Sequence, residues 1–374
     1  MPTGQAKEAR GYGGPSRYVQ GPGEFNNLPK FVSNYGRSAL ALVDPFFMAA
    51  YAAKLPEMFA AEGMRAAVTE FPGICSDANI EKLIAYVEAL PEIPDAFIGI
   101  GGGQTCDMDK ALGAHFRKAI IVCPTSLATD APTSQHTIVN NPGEMGHHIF
   151  HYKNPDFVVV DTEITIQSPA FMFISGIGDA LATYVEAEAS FANNNVNNVA
   201  GFRYKPTLLA MSAARTCYET LLTQGRAAVL AAKNHLRTQA YEDCAEATTL
   251  LSGLGFECTG VSIAHALQAG FVAAPFEKPL LHGAGVGYGT LIQVLLNNEV
   301  PRFEELYLFC KDVGLPVCTK DLGIPADKRT EWVEAIVDEA YPARWSIHNV
   351  PYYVSREMLL NAIWYLDAYH ENHS

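Results

Sequence analysis

The pattern of apolar and polar positions changes about halfway along the chain. Up to about residue 165, short β-prone runs alternate with helical stretches, which is the pattern of a parallel α/β layer. Helices are predicted over residues 79–90, with Asn79 as a good cap, and over residues 105–116. The predicted strands cover residues 38–43, 66–71, 96–100, 119–123 and 157–161.

A hairpin is predicted near the end of this region. The β-prone runs 137–139 and 148–150 flank the turn-forming residues 141–143, Asn-Pro-Gly. His147, His148 and His151 belong to the same segment, and a solvated surface is favoured there over a second metal site.

Long amphipathic helical patterns replace the strands from residue 168 onward. A proline at position 169 suits a helix start, so the boundary is predicted at residues 167–169. We therefore expect a flexible lead-in over residues 1–16, an α/β domain over 17–168 and an all-helical domain over 169–374. The helical patterns cover residues 206–224, 226–252, 286–297, 329–341 and 356–369.

Composition narrows the class of protein. Hydrophobic residues make up 49% and charged residues 18% of the chain, so it can bury a large core. A formal net charge of −14 argues against a nucleic-acid or anionic-membrane partner. There is no apolar run of about 18 residues and no secretory h-region, so we expect a cytoplasmic protein. The eight cysteines form no metal-binding spacing and are predicted to be free thiols.

Three ionisable side chains stand alone in apolar segments of the helical half. Asp179 is the only charged residue between Glu163 and Glu186 in a predicted helix, where an uncompensated carboxylate is costly. His265 and His282 lie in similarly quiet stretches, and the three together would suit one divalent cation. A core histidine and a helix N-cap aspartate are the alternatives for each residue taken alone.

A glycine-rich loop follows one predicted strand and opens a helix. Gly101, Gly102 and Gly103 would let the backbone approach a pyrophosphate at the positive end of the helix dipole. The loop matches neither of the common nucleotide-binding fingerprints, and a tight structural turn is the other interpretation. The strand–glycine–helix context favours the phosphate site.

Two aspartates at strand ends are candidates for ligand contacts. Asp44 would accept hydrogen bonds from the adenosine ribose and repel the extra phosphate of NADP, or would serve as a turn residue before Pro45. Asp130, in the loop 124–132, would bind substrate hydroxyls or cap a turn.

These segments together resemble the glycerol dehydrogenases of the metal-dependent, iron-containing type of alcohol dehydrogenase. The similar segments run in the family's order from about Arg17 to the C-terminus, and the run 153–187 is the most specific. They are IGIGGGQTCDMDK, PTSLATDAPTS, KNPDFVVVDTEI, SGIGDALATYVEA, LLSGLGFE, SIAHAL and LLHGAGVGYGTL.

The resemblance implies an N-terminal NAD-binding domain, an all-helical C-terminal domain and an active site in the cleft between them. It implies a divalent cation, most often zinc but with iron or manganese tolerated, on Asp179, His265 and His282. It also implies a large homo-oligomer, often an octamer. It places on NAD the residues Asp44, Gly103, Gln104, Thr105, Asp107, Thr125, Ser126, Ala128, Ser134, His136 and Asn140, and the glycine-loop pattern adds Gly101 and Gly102.

The implied reaction is oxidation of glycerol or a related vicinal diol to a hydroxyketone, and its reverse. Asp130 is implied as the substrate-binding residue. No side chain is an obvious general base, and a proton relay through water, a ribose hydroxyl or Asp130 is the hypothesis. Its charge disfavours phosphate or carboxylate substrates. Gly176 and Gly178 are expected to let the α/β domain and its nicotinamide approach the metal.

The chain also departs from the family pattern. Gln104 stands where a lysine is usual, His136 and Asn140 replace apolar or aromatic residues, and Ala284-Gly285 replaces a Glu-Lys pair. Two kinds of rival function remain. The first is a sister enzyme: one that acts on another polyol, hydroxyketone or hydroxyacid, a dehydroquinate synthase, or a glycerol-1-phosphate dehydrogenase. The second is a metal-binding oligomer without catalysis.

Overall fold

The structure is a computed structural model that describes residues 8–142, 146–197, 199, 203–276, 280–342 and 346–373. Its strands are short, and those of the main sheet are mostly buried on both faces. They are β1 (Tyr18–Gly21), β2 (Ser38–Val43), β3 (Arg65–Glu70), β4 (Ala96–Gly101), β5 (Ala119–Pro124), β6 (His136–Val139), β7 (His147–Phe150) and β8 (Phe157–Asp161).

Six of these strands form one parallel sheet in the order β1-β8-β5-β4-β2-β3. The chain runs from β2 outward to β3 and then returns across β2 to β4, so the direction of winding reverses between β2 and β4. Ligands of open α/β sheets bind outside the carboxyl ends of the strands at such a switch point. The predicted α/β class and all five predicted strands are confirmed.

Helices cover the two faces of this sheet. One apolar cluster joins Phe25, Leu55 and Phe59 to β2, β4 and β5, and another joins Leu83, Val87 and Met108 to the opposite face. The helices of this region are α1 (Leu28–Val32), α2 (Met48–Tyr51), α3 (Lys54–Ala61), α4 (Asp77–Glu88), α5 (Gly103–His115) and α6 (Thr162–Thr165), with 3-10 turns at Glu24–Asn27, Pro45–Phe47 and Ala131–Thr133.

The predicted hairpin is also present. β6 and β7 pair antiparallel, with His136 opposite Phe150. Residue 143 of the predicted turn lies outside the described residues.

Two local predictions need correction. The N-cap of α4 is Ser76, whose side chain accepts the Asn79 N–H, so Asn79 lies inside the first turn instead of capping it. β1 was not predicted, because its four half-buried residues show neither alternation nor a fully apolar run. These residues are held in an extended conformation by their parallel pairing with β8.

The second half of the chain is helical. A long helix, α7, carries the isolated aspartate of the sequence, and α11 and α12 carry the two isolated histidines. The helices are α7 (Ala170–Ala192), α8 (Leu208–Lys233), α9 (Gln239–Glu246), α10 (Ser252–Thr259), α11 (Ile263–Ala273), α12 (His282–Leu296), α13 (Val300–Val313), α14 (Arg329–Ala340) and α15 (Arg356–His373), with a π-helical segment at Ala247–Leu251 and a 3-10 turn at Ser346–His348.

One predicted helix break falls in the wrong place. Helix α8 continues through Gly225 and ends at Lys233, before the Thr238 cap of α9. Gly225 is needed for packing, since an added Cβ would lie 2.7 Å from the ring of Phe309. A glycine that permits close helix contact was therefore mistaken for a helix end.

The chain divides into two compact units. Gly13–Ser168 forms the α/β unit, and Pro169–Ser374 forms the helical unit together with Met1–Tyr12. The Gly11 N–H donates to the Lys205 carbonyl at 3.1 Å, and the Asn197 amide donates to the Gly11 carbonyl. The flexible lead-in predicted over residues 1–16 is therefore wrong for Arg10 to Tyr12, which are fixed to the helical unit.

No single helix among the described residues is long and apolar enough to cross a membrane. Gln239–Thr259 and Ile263–Ala273 meet the length and hydropathy requirement only together, as a pair bent by 101°.

Candidate active site

α7 places Asp179 deep in the helical unit. Asp179 is the tenth residue of this helix, so the N-cap interpretation is excluded. Its side chain is 2% exposed, and neither carboxylate oxygen accepts a well-directed hydrogen bond from the described residues. A buried carboxylate in this state costs free energy unless a positive charge compensates it.

His265 and His282 bring two imidazoles to this carboxylate. Nε2 of His282 lies 3.2 Å from Oδ1 of Asp179, and Nε2 of His265 lies 3.5 Å from the same oxygen. One ligand atom from each of the three residues lies within 4.8 Å of the others, and no other such group of three occurs among the described residues. The predicted triad is therefore brought together by the fold.

Close packing of α7 on α12 makes this convergence possible. An added Cβ at Gly178 would lie 2.2 Å from the Gly283 carbonyl oxygen, and one at Gly283 would lie 1.8 Å from the Ser175 carbonyl oxygen. The Ser175 hydroxyl also accepts the Gly283 N–H at 3.1 Å. The structure thus gives Gly178 a different role from the expected one, because it lets helix α12 approach α7.

The electrostatics of the triad favour the ionised form of Asp179 and the protonated form of His265. Burial by itself would raise the pKa of Asp179, but the positive charges of His282 and His265 outweigh it, so the pKa lies below its ordinary value. Burial by itself would lower the pKa of His265. The negative charges of Glu186 and Asp179 outweigh this effect, so the pKa lies well above its ordinary value. One carboxylate and two imidazoles are an ordinary ligand set for a catalytic divalent cation with an open position. The orphaned oxygens of Asp179 and this donor set fit such a cation.

Glu186 is a residue of this site that the sequence analysis did not assign. It is fully buried on α7, and its Oε2 lies 2.6 Å from Nδ1 of His265. Its signal in the sequence is a second lone carboxylate on the apolar helix, seven residues after Asp179.

The glycine loop lies at the switch point of the parallel sheet in the α/β unit. β4 ends at Gly101, and α5 begins at Gly103. An added Cβ at Gly101 would strike Oγ1 of Thr105 at 2.4 Å, whereas one at Gly102 would meet nothing within 4 Å. The loop is tight beneath Gly101 and open above Gly102, as a backbone cradle for a pyrophosphate requires.

Asp44 lies beside this loop at the end of β2. Its Cβ would be 3.0 Å from a Cβ added to Gly101. Its Oδ1 also accepts the Phe46 N–H at 3.0 Å and caps the turn Pro45–Phe47. The turn interpretation is therefore correct, and a ribose contact stays a prediction.

Two polar residues of α5 hold neighbouring segments. Oε1 of Gln104 accepts the Cys75 N–H at 3.1 Å. Oδ1 of Asp107 forms a buried ion pair with Lys110 at 2.8 Å, and its Oδ2 accepts the Ile138 N–H. Both side chains thus have internal roles, and their contact with a cofactor stays a prediction.

Lys110 is a buried cation that the sequence analysis missed. Its Nζ donates to the Ala131 carbonyl at 2.9 Å and lies 3.4 Å from Oγ of Ser134. It therefore fixes the loop that carries Asp130, which is buried at the start of the turn Ala131–Thr133. The Asp107–Lys110 pair at i, i+3 spacing is the signal that was available in the sequence.

The other predicted cofactor residues follow β5 and line the hairpin. Thr125 is buried, and its N–H donates to the Gly101 carbonyl, which brings the loop after β5 to the glycine loop. Ser126 and Ala128 are half-buried in the same loop, and Thr105 is buried at the start of α5.

His136 and Asn140 lie at the two ends of strand β6. The ring of His136 packs edge-on against Phe150 at 4.4 Å, and the Asn140 N–H donates to the Cys75 carbonyl at 2.7 Å. Burial and the charge of Lys110 lower the pKa of His136 to about 3. The imidazole is consequently neutral at physiological pH.

The three histidines of the hairpin form no metal site among the described residues. His147 and His148 are exposed, as the solvated interpretation predicts. His151 differs, because it is buried and its Nε2 lies 2.8 Å from the Thr137 hydroxyl. The prediction of a solvated surface is wrong for His151.

A glycine loop at the switch point of a parallel sheet and a carboxylate–imidazole triad on helices are the features expected of a metal-dependent dehydrogenase. The family model for iron-containing alcohol dehydrogenase matches residues 15–162. Glycerol dehydrogenase from Thermotoga maritima is 36% identical over 363 residues, which cover 95% of this chain and 96% of the relative.

Solved structures agree. Glycerol dehydrogenase from Schizosaccharomyces pombe superposes with a TM-score of 0.90 at 30% identity, covering 98% of this chain and 93% of that one. A probable glycerol dehydrogenase from Sinorhizobium meliloti superposes with a TM-score of 0.87 at 31% identity, covering 97% of this chain and 99% of that one. The chain belongs to the glycerol dehydrogenase family of iron-containing alcohol dehydrogenases. It is an NAD-dependent alcohol or polyol dehydrogenase that uses a divalent metal.

Proposed function

We propose that this enzyme oxidises glycerol, or a closely related vicinal diol, to the hydroxyketone, and catalyses the reverse reduction. The observation that carries the proposal is the buried carboxylate of Asp179, which faces two imidazoles and lacks hydrogen-bond donors among the described residues. The 36% sequence identity to a glycerol dehydrogenase over nearly the whole chain supports the choice of substrate.

Asp179, His265 and His282 would hold the cation. We propose zinc, because a mixed carboxylate–histidine set with one open position is common for catalytic zinc; iron and manganese are also compatible with it. When bound, the cation would act as a Lewis acid that lowers the pKa of the alcohol hydroxyl, and NAD would accept the hydride.

The dinucleotide would lie on the α/β unit. We assign the pyrophosphate to the backbone of Gly101, Gly102 and Gly103, and the adenosine ribose to Asp44. The open space above Gly102 and the position of Asp44 at the switch point support this assignment. The remaining proposed contacts are Gln104, Thr105, Asp107, Thr125, Ser126, Ala128, Ser134, His136 and Asn140.

A neutral polyol suits the polar groups of the α/β unit. We assign Asp130 to a substrate hydroxyl and to the relay of its proton. Lys110 is paired with Asp107, which argues against a role in binding a substrate phosphate. His136 is neutral at physiological pH and adds no positive charge for an anionic substrate.

We also propose a cellular location and an oligomeric state for the enzyme. All eight cysteines are buried free thiols, which suits a reducing cytoplasm. We propose a homo-oligomer, with an octamer as the expected size, because of the family resemblance. Light scattering coupled to size-exclusion chromatography measures this mass directly.

The test of the function is a substrate panel with metal-loaded protein. NADH formation at 340 nm would be followed with glycerol, 1,2-propanediol, longer polyols and hydroxyacids, with NAD and NADP compared in parallel. Hydroxyketones would be tested in the reductive direction. We expect the highest kcat/KM with glycerol or a small vicinal diol and with NAD.

The same panel tests the rival functions. A preference for a hydroxyacid would replace the proposed substrate and retain the dehydrogenase class. Stoichiometric metal binding without turnover of any panel member would favour a metal-binding oligomer instead.

A further inference from the structure

A second carboxylate lies behind the metal triad on the same helix. Glu186 of α7 is fully buried, and the described part of the chain places no Arg or Lys side chain within ion-pair reach of it. It follows Asp179 by seven residues, or about 10.5 Å along the helix axis. Glu186 therefore lies two turns away from Asp179, and the imidazole of His265 lies between the two carboxylates.

The contacts of His265 differ on its two ring nitrogens. Nδ1 is 2.6 Å from Oε2 of Glu186, a hydrogen-bond distance. Nε2 points the other way, at 3.5 Å from Oδ1 of Asp179. A carboxylate oxygen at this distance accepts from a proton on Nδ1, so Nε2 is the ring nitrogen that can give up its proton and offer a lone pair to a cation. A neutral histidine in this tautomer presents Nε2 as a metal ligand.

The other oxygen of Glu186 holds the backbone that carries this histidine. Oε1 accepts the N–H of Ser262 at 2.8 Å and the N–H of His265 at 3.1 Å. These groups belong to the first turn of α11, where helix N–H groups have no partner within the helix. One side chain from α7 thus satisfies the start of α11 and orients its imidazole.

A glutamine from the third helix completes the arrangement. Gln293 of α12 is fully buried, and its Oε1 accepts the Ala264 N–H at 3.1 Å and the Ser262 hydroxyl at 3.0 Å. The first turn of α11 is therefore attached to both of the other helices that supply ligands. Displacing it would break hydrogen bonds to α7 and α12 together.

We propose that Glu186 is a positioning residue for the metal centre. It selects the tautomer of His265 with the proton on Nδ1 and, together with Gln293, fixes the first turn of α11. Nε2 is then directed at the cation that Asp179 and His282 share. This role rests on the metal-dependent function proposed above.

The test compares two glutamate-to-glutamine variants of one helix. Glu186→Gln keeps the length of the side chain and an oxygen for the backbone N–H groups, but its second terminal atom is an NH2 group that cannot accept from Nδ1–H. The matched control is Glu188→Gln, since Glu188 is 42% exposed and pairs with Arg302 at 2.7 Å.

Metal affinity is the main measurement. Titration of apo-protein with zinc against a chelating indicator should show a dissociation constant about 10- to 100-fold higher for Glu186→Gln than for Glu188→Gln. Excess zinc should restore binding to Glu186→Gln, and its circular dichroism should match that of the control. Equal zinc affinity in the two variants would overturn the proposal.

A measurement on the unaltered protein covers the case in which Glu186→Gln does not fold. Neutron diffraction of deuterated crystals would show deuterium on Nδ1 of His265 in the presence and absence of zinc. Absence of deuterium from Nδ1 in either crystal, with deuterium on Oε2 of Glu186 in its place, would overturn the positioning role. Failure of the unaltered protein to bind any divalent cation would instead reject the proposed function itself, which separates the two conclusions.

Discussion

The metal triad of the helical unit and the glycine loop of the α/β unit treat polar side chains in opposite ways. At the triad, a buried carboxylate has two imidazoles beside it and no well-directed donor among the described residues. Around the glycine loop, side chains of Asp44, Gln104 and Asp107 already have partners within the α/β unit. The helical site is defined by an unmet charge, whereas the loop is defined by open backbone at Gly102.

The difference shows how each kind of site tolerates change. The triad depends on a few side chains whose replacements have large and specific effects. The loop depends on backbone geometry, so exchanging a single side chain there should alter affinity or preference more than the existence of the site. The following four predictions test this contrast.

The largest effect is expected from His282→Ala. Removal of one of three ligands should abolish stoichiometric metal binding and reduce kcat/KM by about 10³-fold, which corresponds to roughly 4 kcal/mol. Metal analysis and NADH assays check this result. The side chain of His282 is 41% exposed, so the fold and the melting temperature should change little. Unchanged metal content would remove His282 from the ligand set.

A matched pair of glycine variants compares the two regions directly. Gly283→Ala places a methyl group against the backbone of Ser175, so α7 and α12 must separate. We expect a loss of about 1–3 kcal/mol in the free energy of unfolding and weaker metal binding.

Gly102→Ala is the other half of this pair. Its added Cβ meets nothing, and the backbone angles of φ −77° and ψ −173° suit alanine. The free energy of unfolding should stay within about 0.5 kcal/mol, while NAD binds more weakly because a methyl group enters the proposed cradle. Calorimetry and NAD titration measure both effects; equal loss of stability in the two variants would contradict the contrast.

A smaller effect is expected from Asp44→Asn. The amide oxygen can still accept the Phe46 N–H, but the negative charge beside the proposed ribose site is gone. The ratio of kcat/KM for NADP to that for NAD should rise by about tenfold, or roughly 1.4 kcal/mol. An unchanged ratio would remove Asp44 from the ribose role.

The last prediction concerns pH and stability in the α/β unit. Asp109 of α5 is fully buried, and burial raises its pKa well above the ordinary value, with only partial relief from the Gly99 peptide and the charge of Lys110. The folded state holds the proton of this carboxyl to higher pH than the unfolded chain, which ionises it above about pH 4. Its contribution to stability is therefore full below that pH and is lost as pH rises towards the folded-state pKa.

Asp109→Asn should reduce this dependence. Between pH 5 and pH 8, the variant should lose less stability than the unaltered protein, by about 1.4 kcal/mol for each pH unit over which only the unfolded carboxyl is ionised. Urea unfolding at several pH values measures the slope. Glu81→Gln, an exposed change on α4, is the control and should leave the slope unchanged. Equal slopes for Asp109→Asn and the unaltered protein would contradict the prediction.

Much of the α/β unit could be predicted because its signals are local. A buried strand followed by glycines and a helix is one continuous segment, and parallel strands bring such segments to the same edge of a sheet. The failures were also local. Ser76 and Asn79 both suit a helix cap, and only the hydrogen bond from the Asn79 N–H to Ser76 distinguishes them.

The helical unit was predictable in its ligands but not in their support. A lone Asp179 in an apolar helix is conspicuous in a sequence, and so are His265 and His282. Glu186 is equally isolated, yet its partner lies 79 residues away along the chain. Gly225 shows the same difficulty, because only the position of Phe309 reveals that α8 runs through this glycine.

The sequence by itself determined the α/β and helical halves, the glycine loop and the three candidate metal ligands. Periodicity, turn chemistry and the cost of burying a charge are properties of short segments. Only the tertiary structure decided that Gly178 meets Gly283, that Lys110 holds the loop before Ser134, and that one side of the His265 ring faces Glu186. These contacts join segments far apart in the chain, so their energies depend on helix packing that no local pattern records.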